Sequence, residues 1–163
     1  MTTVNSEITI NAPKEKIWNI LADLGGVVKF HPFVTKSHYT SEQKEDVGAS
    51  RYCFIVPGME LNEEVVNWQP GTSYTVKGQL SGEQVPPVED LKGTLSVIAE
   101  SEGVHASMTM EYQFAGDASM EKEVQGQFQM MLDGILLGLK HHAQTGEEVD
   151  LKVLKQLQAA LKV

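Results

Sequence analysis

Residues 10–34, INAPKEKIWNILADLGGVVKFHPFV, change from a regular helical pattern to a short irregular segment. Asn11 suits the N-cap of the helix. Apolar residues then recur with the i, i+3, i+4, i+7 spacing of one helical face: Ile17, Ile20, Leu21 and Leu24. Gly25 or Gly26 can adopt the left-handed conformation that ends a helix. We therefore predict a short helix and then a sharp turn into the segment that contains His31.

Strand-like segments lie on both sides of this region. In residues 103–114, apolar and polar residues alternate, which is typical of a sheet covered on one face only. Turn-forming residues such as Pro57 and Gly58 separate successive segments, and short turns of this kind favour an antiparallel meander. The predicted strands are 4–10, 35–41, 49–56, 59–69, 72–80, 91–100 and 103–114.

Three further segments complete the chain. Residues 81–90 contain two adjacent prolines, which predicts a loop of the kind that often serves as a lid. Residues 117–143 have a helical pattern that spans roughly 40 Å. Glycines inside it would be tolerated where something packs closely or where room is needed. Residues 150–162 form a second amphipathic pattern. We expect one domain over 1–146, with 147–163 as a helical tail of the same domain.

Composition argues against several classes of function. The 163 residues are 41% apolar and carry a net charge of −9, so we expect one globular domain and no binding to nucleic acid or to anionic membranes. No signal peptide and no membrane-spanning stretch is predicted, so we expect no stable membrane insertion. Cys53, the single cysteine, allows no intramolecular disulfide, which suits a reducing cytoplasm. The adjacent His141 and His142 cannot chelate one ion together, and we expect no metal and no cofactor.

Four motifs, in order along the chain, resemble those of the START/Bet v 1-like (SRPBCC) superfamily, which includes bacterial polyketide cyclases, dehydrases and lipid transport proteins. Residues 10–34 resemble its opening helix and His-Pro segment. VGASR at 47–51, EEVVNWQPG at 63–71 and GLKHHAQTGEEV at 138–149 resemble three later motifs. The resemblance implies an α+β helix-grip fold, in which a curved antiparallel sheet of about seven strands wraps around a long C-terminal helix.

The same resemblance implies a ligand cavity between the concave face of the sheet and the long helix. Methionine side chains adapt to irregular apolar ligands, although they also fill ordinary cores. The residues expected to contact a ligand are His31, Phe33, Tyr52, Phe54, Met59, Leu61, Glu63, Val65, Tyr74, Val76, Met108, Met110, Tyr112, Val124, Phe128, Met131 and Ile135.

Two of these residues are also candidates for acid–base chemistry. His31 lies at the edge of the cavity by analogy, where it could hydrogen-bond a ligand or simply cap a turn. Glu63 would point inward in one register of its strand and become an acid/base group there, whereas the opposite register would place Glu64 inside. Arg51 could hold a ligand carboxylate or pair with either glutamate, and we favour the structural pair.

Three functions remain open from the sequence. The first is a cytoplasmic carrier or sensor that binds a hydrophobic or amphipathic small molecule, such as a lipid, a polyketide or an isoprenoid. The second is a polyketide cyclase/aromatase or dehydratase that moves protons with polar cavity groups. The third is an interaction module that acts through the tail helix. We expect a monomer or a homodimer, and we expect loops 56–60 and 81–90 to be mobile when the cavity is empty.

Overall fold

The computed structural model describes residues 1–162, so Val163, the last residue of the predicted tail, lies outside the described residues. The strands are β1 (Thr2–Ile10), β2 (Val34–Tyr39), β3 (Ser50–Ile55), β4 (Met59–Gln69), β5 (Ser73–Gly82), β6 (Val88–Glu100) and β7 (Gly103–Phe114). The α-helices are α1 (Lys14–Ala22), α2 (Glu121–Thr145) and α3 (Leu151–Leu161), with 3₁₀ helices at Leu24–Lys29 and Ala118–Met120.

The seven strands form one antiparallel sheet in the order β1-β7-β6-β5-β4-β3-β2. β2 to β7 are a meander, as the short turns predict, and β1 pairs with the free edge of β7. α2 packs against β1 and β7. Its buried residues are Val124, Phe128, Leu132, Gly134, Ile135, Leu136, Gly138, Leu139 and Ala143. The predicted α+β helix-grip fold is confirmed, and its core lies between the sheet and α2.

The start of α1 differs from the prediction. The helix begins at Lys14 with Pro13 as its N-cap residue, and no side chain caps it. Asn11 instead donates its backbone N–H to Gln144 Oε1 over 2.8 Å. The prediction that Asn11 is the N-cap is therefore wrong, because this residue connects the end of β1 to the last turn of α2.

The chain beyond α1 does not turn through a left-handed glycine. Neither Gly25 nor Gly26 has a positive φ, and both lie within the 3₁₀ helix instead. A side chain at Gly25 would overlap the ring of Tyr39 in β2. The predicted left-handed turn is therefore wrong, since close packing explains this glycine better than backbone conformation does.

The predicted loop at 81–90 is shorter in the structure. β5 continues to Gly82 and β6 begins at Val88, so the connection is 83–87. A strand can start directly after the two prolines because it needs no N–H from them. Asp90 has a φ of 52°, and the β6–β7 register shifts beside it, as expected for a β-bulge.

Two of the three glycines inside α2 lie at close contacts with the segment before β2. A methyl group at Gly138 would overlap the carbonyl oxygen of Phe30, and one at Gly134 would come within 3.0 Å of the Phe33 ring. Gly126 has nothing within 4 Å of that position. Close packing therefore explains the first two glycines, whereas Gly126 lies in open space.

The predicted tail helix is α3, which packs against α2. Its Leu154 side chain is buried. Asp150 caps the helix, because its carboxylate accepts the backbone N–H of Val153 over 2.9 Å. Among residues 1–162, no helix is both long and apolar enough to cross a bilayer.

Candidate ligand cavity

A small cavity of about 50 Å³ lies between the sheet and α2. Three polar residues of its lining have little exposure, namely His31, Arg51 and Glu63, whereas a fourth, Lys92, is exposed. Its apolar and small lining residues are Val27, Val34, Cys53, Ile55, Leu61, Val76, Leu91, Gly93, Leu95, Met108, Met110, Met131 and Ile135. A volume of this size holds a few water molecules and is well below the roughly 300 Å³ at which pockets for drug-sized ligands begin.

Arg51 and Glu63 form an ion pair inside the protein. They are register partners on β3 and β4, and Arg51 Nε donates to Glu63 Oε1 over 2.9 Å with side chains only 6% and 12% exposed. Arg51 Nη1 also donates to the carbonyl of Leu24 over 3.3 Å. The predicted structural pair is confirmed, and so is the inward register of Glu63, because Glu64 is exposed on the other face.

This pairing keeps a charged guanidinium in the interior. Burial alone would lower the pKa of Arg51, but the Glu63 carboxylate raises it, and the net pKa lies above the ordinary value. Removing one member of a buried pair leaves an uncompensated charge in a region of low dielectric constant. The carboxylate of Glu63 is therefore committed to Arg51 and is not a free base.

His31 lies beside this pair at the wall of the cavity. Its Nδ1 accepts the backbone N–H of Phe33 over 3.3 Å, which assigns the proton to Nε2. Burial, together with the charge of Arg51, lowers the pKa of His31 to about 3. At neutral pH the ring is therefore an uncharged donor through Nε2–H.

Tyr74 packs beside the Arg51–Glu63 pair. Its ring stacks on Trp68 with centroids 5.7 Å apart, and the Arg51 guanidinium carbon lies 6.0 Å from its centroid. Burial raises the pKa of the Tyr74 hydroxyl, so it remains protonated. This hydroxyl is buried and has no hydrogen-bond partner among the described residues.

The opposite wall of the cavity is adaptable. Met108 and Met110 reach it from β7, and Met131 and Ile135 reach it from α2. Methionine has an unbranched side chain with several rotatable bonds, so it can fill a gap or move out of one. The methionines are therefore the most flexible side chains of the lining.

The structure places two predicted residues on the wrong face for this cavity. Arg51, Cys53 and Ile55 of β3 face inward, and the pleat then directs Tyr52 and Phe54 outward. Tyr52 stacks on His38 with centroids 5.1 Å apart. The prediction that Tyr52 and Phe54 line the cavity is therefore wrong, because the sequence argument selected the aromatic face of the strand rather than the buried one.

The other predicted residues fall into three groups. Those that line the cavity are His31, Leu61, Glu63, Val76, Met108, Met110, Met131 and Ile135. Those buried in the surrounding core without lining it are Val65, Tyr74, Tyr112, Val124 and Phe128. Phe33 and Met59 are partly buried and pack against the core from outside the cavity.

Sequence reasoning missed part of the lining. Cys53 of β3 and Leu91 and Leu95 of β6 are not among the predicted contact residues, yet all three line the cavity. Alternation along each strand is the signal that could have found them, since it places every second residue on the same face. No three His, Cys, Asp or Glu side chains among residues 1–162 are grouped closely enough to hold a metal ion.

Comparison with known proteins identifies the family. Residues 1–144 match the family described as polyketide cyclase / dehydrase and lipid transport. Comparison with curated protein sequences gives no match.

Solved structures share the fold at low identity. Protein XoxI from Bacillus cereus is 16% identical with a TM-score of 0.74, and the match covers 89% of this chain and 97% of that one. A protein from Thermus thermophilus is 19% identical with a TM-score of 0.73, over 89% and 99% of the two chains. Ara h 8.0201 is 15% identical with a TM-score of 0.72, over 88% and 98%. With the helix-grip fold and the match over residues 1–144, the chain belongs to the polyketide cyclase / dehydrase and lipid transport family of SRPBCC proteins.

Proposed function

We propose that this protein binds a small amphipathic molecule, of a lipid, polyketide or isoprenoid type, as a carrier or sensor. The observation that carries the proposal is one cavity with a polar end, at Arg51, Glu63 and His31, inside an otherwise apolar interior. Buried polar groups that converge on an apolar pocket are typical of sites that orient a ligand. The family description, which includes lipid transport, supports the same class of function.

The polar end favours a ligand with a hydrogen-bond acceptor. No side chain among the described residues accepts a hydrogen bond from His31, and its Nε2–H is a donor. A carbonyl, hydroxyl or carboxylate oxygen of the ligand would satisfy this donor next to the positive charge of Arg51. The Glu63 carboxylate keeps that charge balanced when the ligand is absent.

The apolar end requires the protein to make room. A cavity of about 50 Å³ cannot hold a lipid or a polyketide as it stands. Rotation of Met108, Met110 and Met131 away from the centre would provide space for an apolar body, because these side chains fill the gap opposite the polar end. Binding by this route exchanges methionine contacts for ligand contacts.

The enzyme alternative has less support from the same geometry. A cyclase or dehydratase step needs a group that accepts a proton near neutral pH. His31 offers only a donor to the cavity, since its Nδ1 is occupied by Phe33 N–H. Glu63 is held by Arg51. A binding role in a reducing cytoplasm also suits the single buried cysteine, Cys53.

Truncation of the methionine wall tests this proposal. Met131→Ala enlarges the cavity, whereas Met130→Ala changes a neighbouring side chain that is 72% exposed. With 8-anilinonaphthalene-1-sulfonate as an amphipathic probe, we expect Met131→Ala to bind about 3- to 10-fold more tightly than the unmodified protein in a fluorescence titration. Met130→Ala should bind the probe as the unmodified protein does. Equal affinities for all three proteins, or the same gain in both variants, would contradict binding in this cavity.

A further inference from the structure

We infer that residues 147–161, the strap, hold one wall of the cavity closed and control access to it. The family match ends at residue 144, so this segment lies outside the part of the chain that matches the family. Only the effect of the strap on ligand binding rests on the proposed function. The closure itself can be measured without a ligand.

The wall in question is the segment 27–34, which lies between the cavity and the strap. Val27, His31 and Val34 face the cavity. Val34 also lines an outer groove of about 490 Å³, whose other side is formed by residues 148–152 of the strap. A single layer of side chains therefore separates the cavity from this groove.

The strap is joined to the outside of the same wall by one hydrogen bond, and it packs on α2 at the place where Phe33 of the wall also packs. Val149, which is 1% exposed, donates its backbone N–H to the carbonyl of Lys29 over 2.9 Å. Leu154, which is 3% exposed, and the ring of Phe33 both lie within 3.4 Å of the position that a methyl group would take at Gly134. The wall is thus clamped between α2 on one side and the strap on the other.

Few contacts hold the strap, so it can open while the rest of the protein stays folded. Gly146, with a φ of 80°, ends α2 and gives the chain a left-handed turn just before the strap. Within the strap, Val149 and Leu154 are the buried apolar residues, and the C-terminal end of α3 is exposed, with Leu161 71% exposed. Segments with few buried contacts open locally at a lower free energy than global unfolding requires.

Cys53 provides a built-in reporter for this opening. It is the single cysteine of the chain, it is 1% exposed, and it lines the cavity on the face opposite α2. Because Cys53 is buried, a small neutral reagent such as N-ethylmaleimide can react with it only when part of the structure around the cavity moves. The rate of alkylation therefore measures the opening, whether or not a natural ligand exists.

The test uses the full-length protein with Leu154→Ala. We expect alkylation of Cys53 to be at least about fivefold faster than in the unmodified protein, because local opening becomes more frequent. Leu161→Ala, on the exposed face of the same helix, should react at the unmodified rate. Val104→Ala, a truncation of a buried core residue of β7, controls for general loss of stability. If Val104→Ala accelerates alkylation as much as Leu154→Ala, or if Leu154→Ala has no effect, the inference is overturned.

A second readout locates the opening. The amides of Phe30 and His31 both donate to the carbonyl of Val27, and their hydrogen exchange should accelerate in Leu154→Ala while the amides of β7 keep their rates. If Leu154→Ala does not fold, Val149→Ala truncates the other buried apolar residue of the strap, and the same two measurements are made on that variant. Absence of probe binding to any variant would contradict the proposed function alone, whereas unchanged alkylation would contradict the strap alone.

Discussion

The interior under α2 has two parts that differ in kind. The cavity end contains the Arg51–Glu63 pair, His31 and the methionine wall around a cavity of about 50 Å³. The packed end lies about one helical turn away along α2, where Phe128 meets Tyr112 edge to face with centroids 5.1 Å apart. Tyr112 is fully buried and Phe128 is 6% exposed.

This difference separates rigid packing from more adaptable packing along a single helix. At the packed end, rigid aromatic rings contribute large buried areas and favourable edge contacts. At the cavity end, the lining includes a charged pair and flexible methionine side chains, which are less rigid than the aromatic rings. The same sheet and helix therefore form a rigidly packed region and a more adaptable one, and it is in the second region that we propose ligand binding.

The largest effect should come from the packed end. Phe128→Ala removes a buried ring and should lower the free energy of unfolding by about 3–5 kcal/mol, as measured by urea denaturation. Probe affinity should change less than about twofold, because the ring does not line the cavity. A tenfold change in probe affinity with little loss of stability would reverse the assignment of the two ends.

The next effect should come from the charged pair at the cavity end. Glu63→Gln leaves the Arg51 charge buried without its counterion and should lower the free energy of unfolding by about 3 kcal/mol. Glu64→Gln, the exposed neighbour on the same strand, should stay within about 0.5 kcal/mol of the unmodified protein in the same urea titration. If both variants lose a similar amount of unfolding free energy, the Arg51–Glu63 pair is not the cause of the loss.

Acidification should weaken the cavity end through His31. Its pKa is about 3 in the fold against 6.5 for the ordinary group, so between these values the unfolded chain binds more protons than the folded one. This stability is present above about pH 6.5 and is lost as the pH falls, by about 2 kcal/mol between pH 7 and pH 5. In His31→Gln, the free energy of unfolding, measured by urea denaturation at each pH, should change less between pH 7 and pH 5. If it falls as steeply with pH as in the unmodified protein, another group is responsible for the effect.

The smallest effect comes from an exposed glycine in the first half of α2. Gly126→Ala has open space around it and should raise the free energy of unfolding by up to about 1 kcal/mol. Gly146→Ala also has open space, but its φ of 80° makes a side chain strained, and a loss of about 1 kcal/mol is expected. Thermal unfolding should show a higher midpoint for Gly126→Ala and a lower midpoint for Gly146→Ala. A lower midpoint for Gly126→Ala would contradict the open space around this glycine.

The features predicted correctly from the sequence are those that depend on local periodicity. Alternation in β7 placed Met108 and Met110 on the inner face. For β4 the sequence left two registers open, and the structure selects the one that places Glu63 inside. The errors at Tyr52 and Phe54 came from choosing the wrong one of two alternating faces, since both carry apolar residues and local sequence does not rank them.

Other features depend on contacts between residues far apart in the chain. The close approach of Gly138 to Phe30 joins α2 to the segment before β2, and no local pattern reports it. The volume of the cavity also depends on contacts of this kind, because Met131 packs against strands that are distant in sequence. Such features follow from tertiary packing, so a single sequence does not show the size of the cavity.

The most direct test of binding between sheet and helix follows the methionine methyl groups. In protein with ¹³C-labelled methionine methyls, addition of 8-anilinonaphthalene-1-sulfonate should shift the NMR signals of Met108, Met110 and Met131, which line the cavity. The signals of Met120 and Met130, which are 47% and 72% exposed, should stay in place. Shifts confined to these two exposed residues would contradict binding in the cavity, because the probe would then bind the outer surface of the protein.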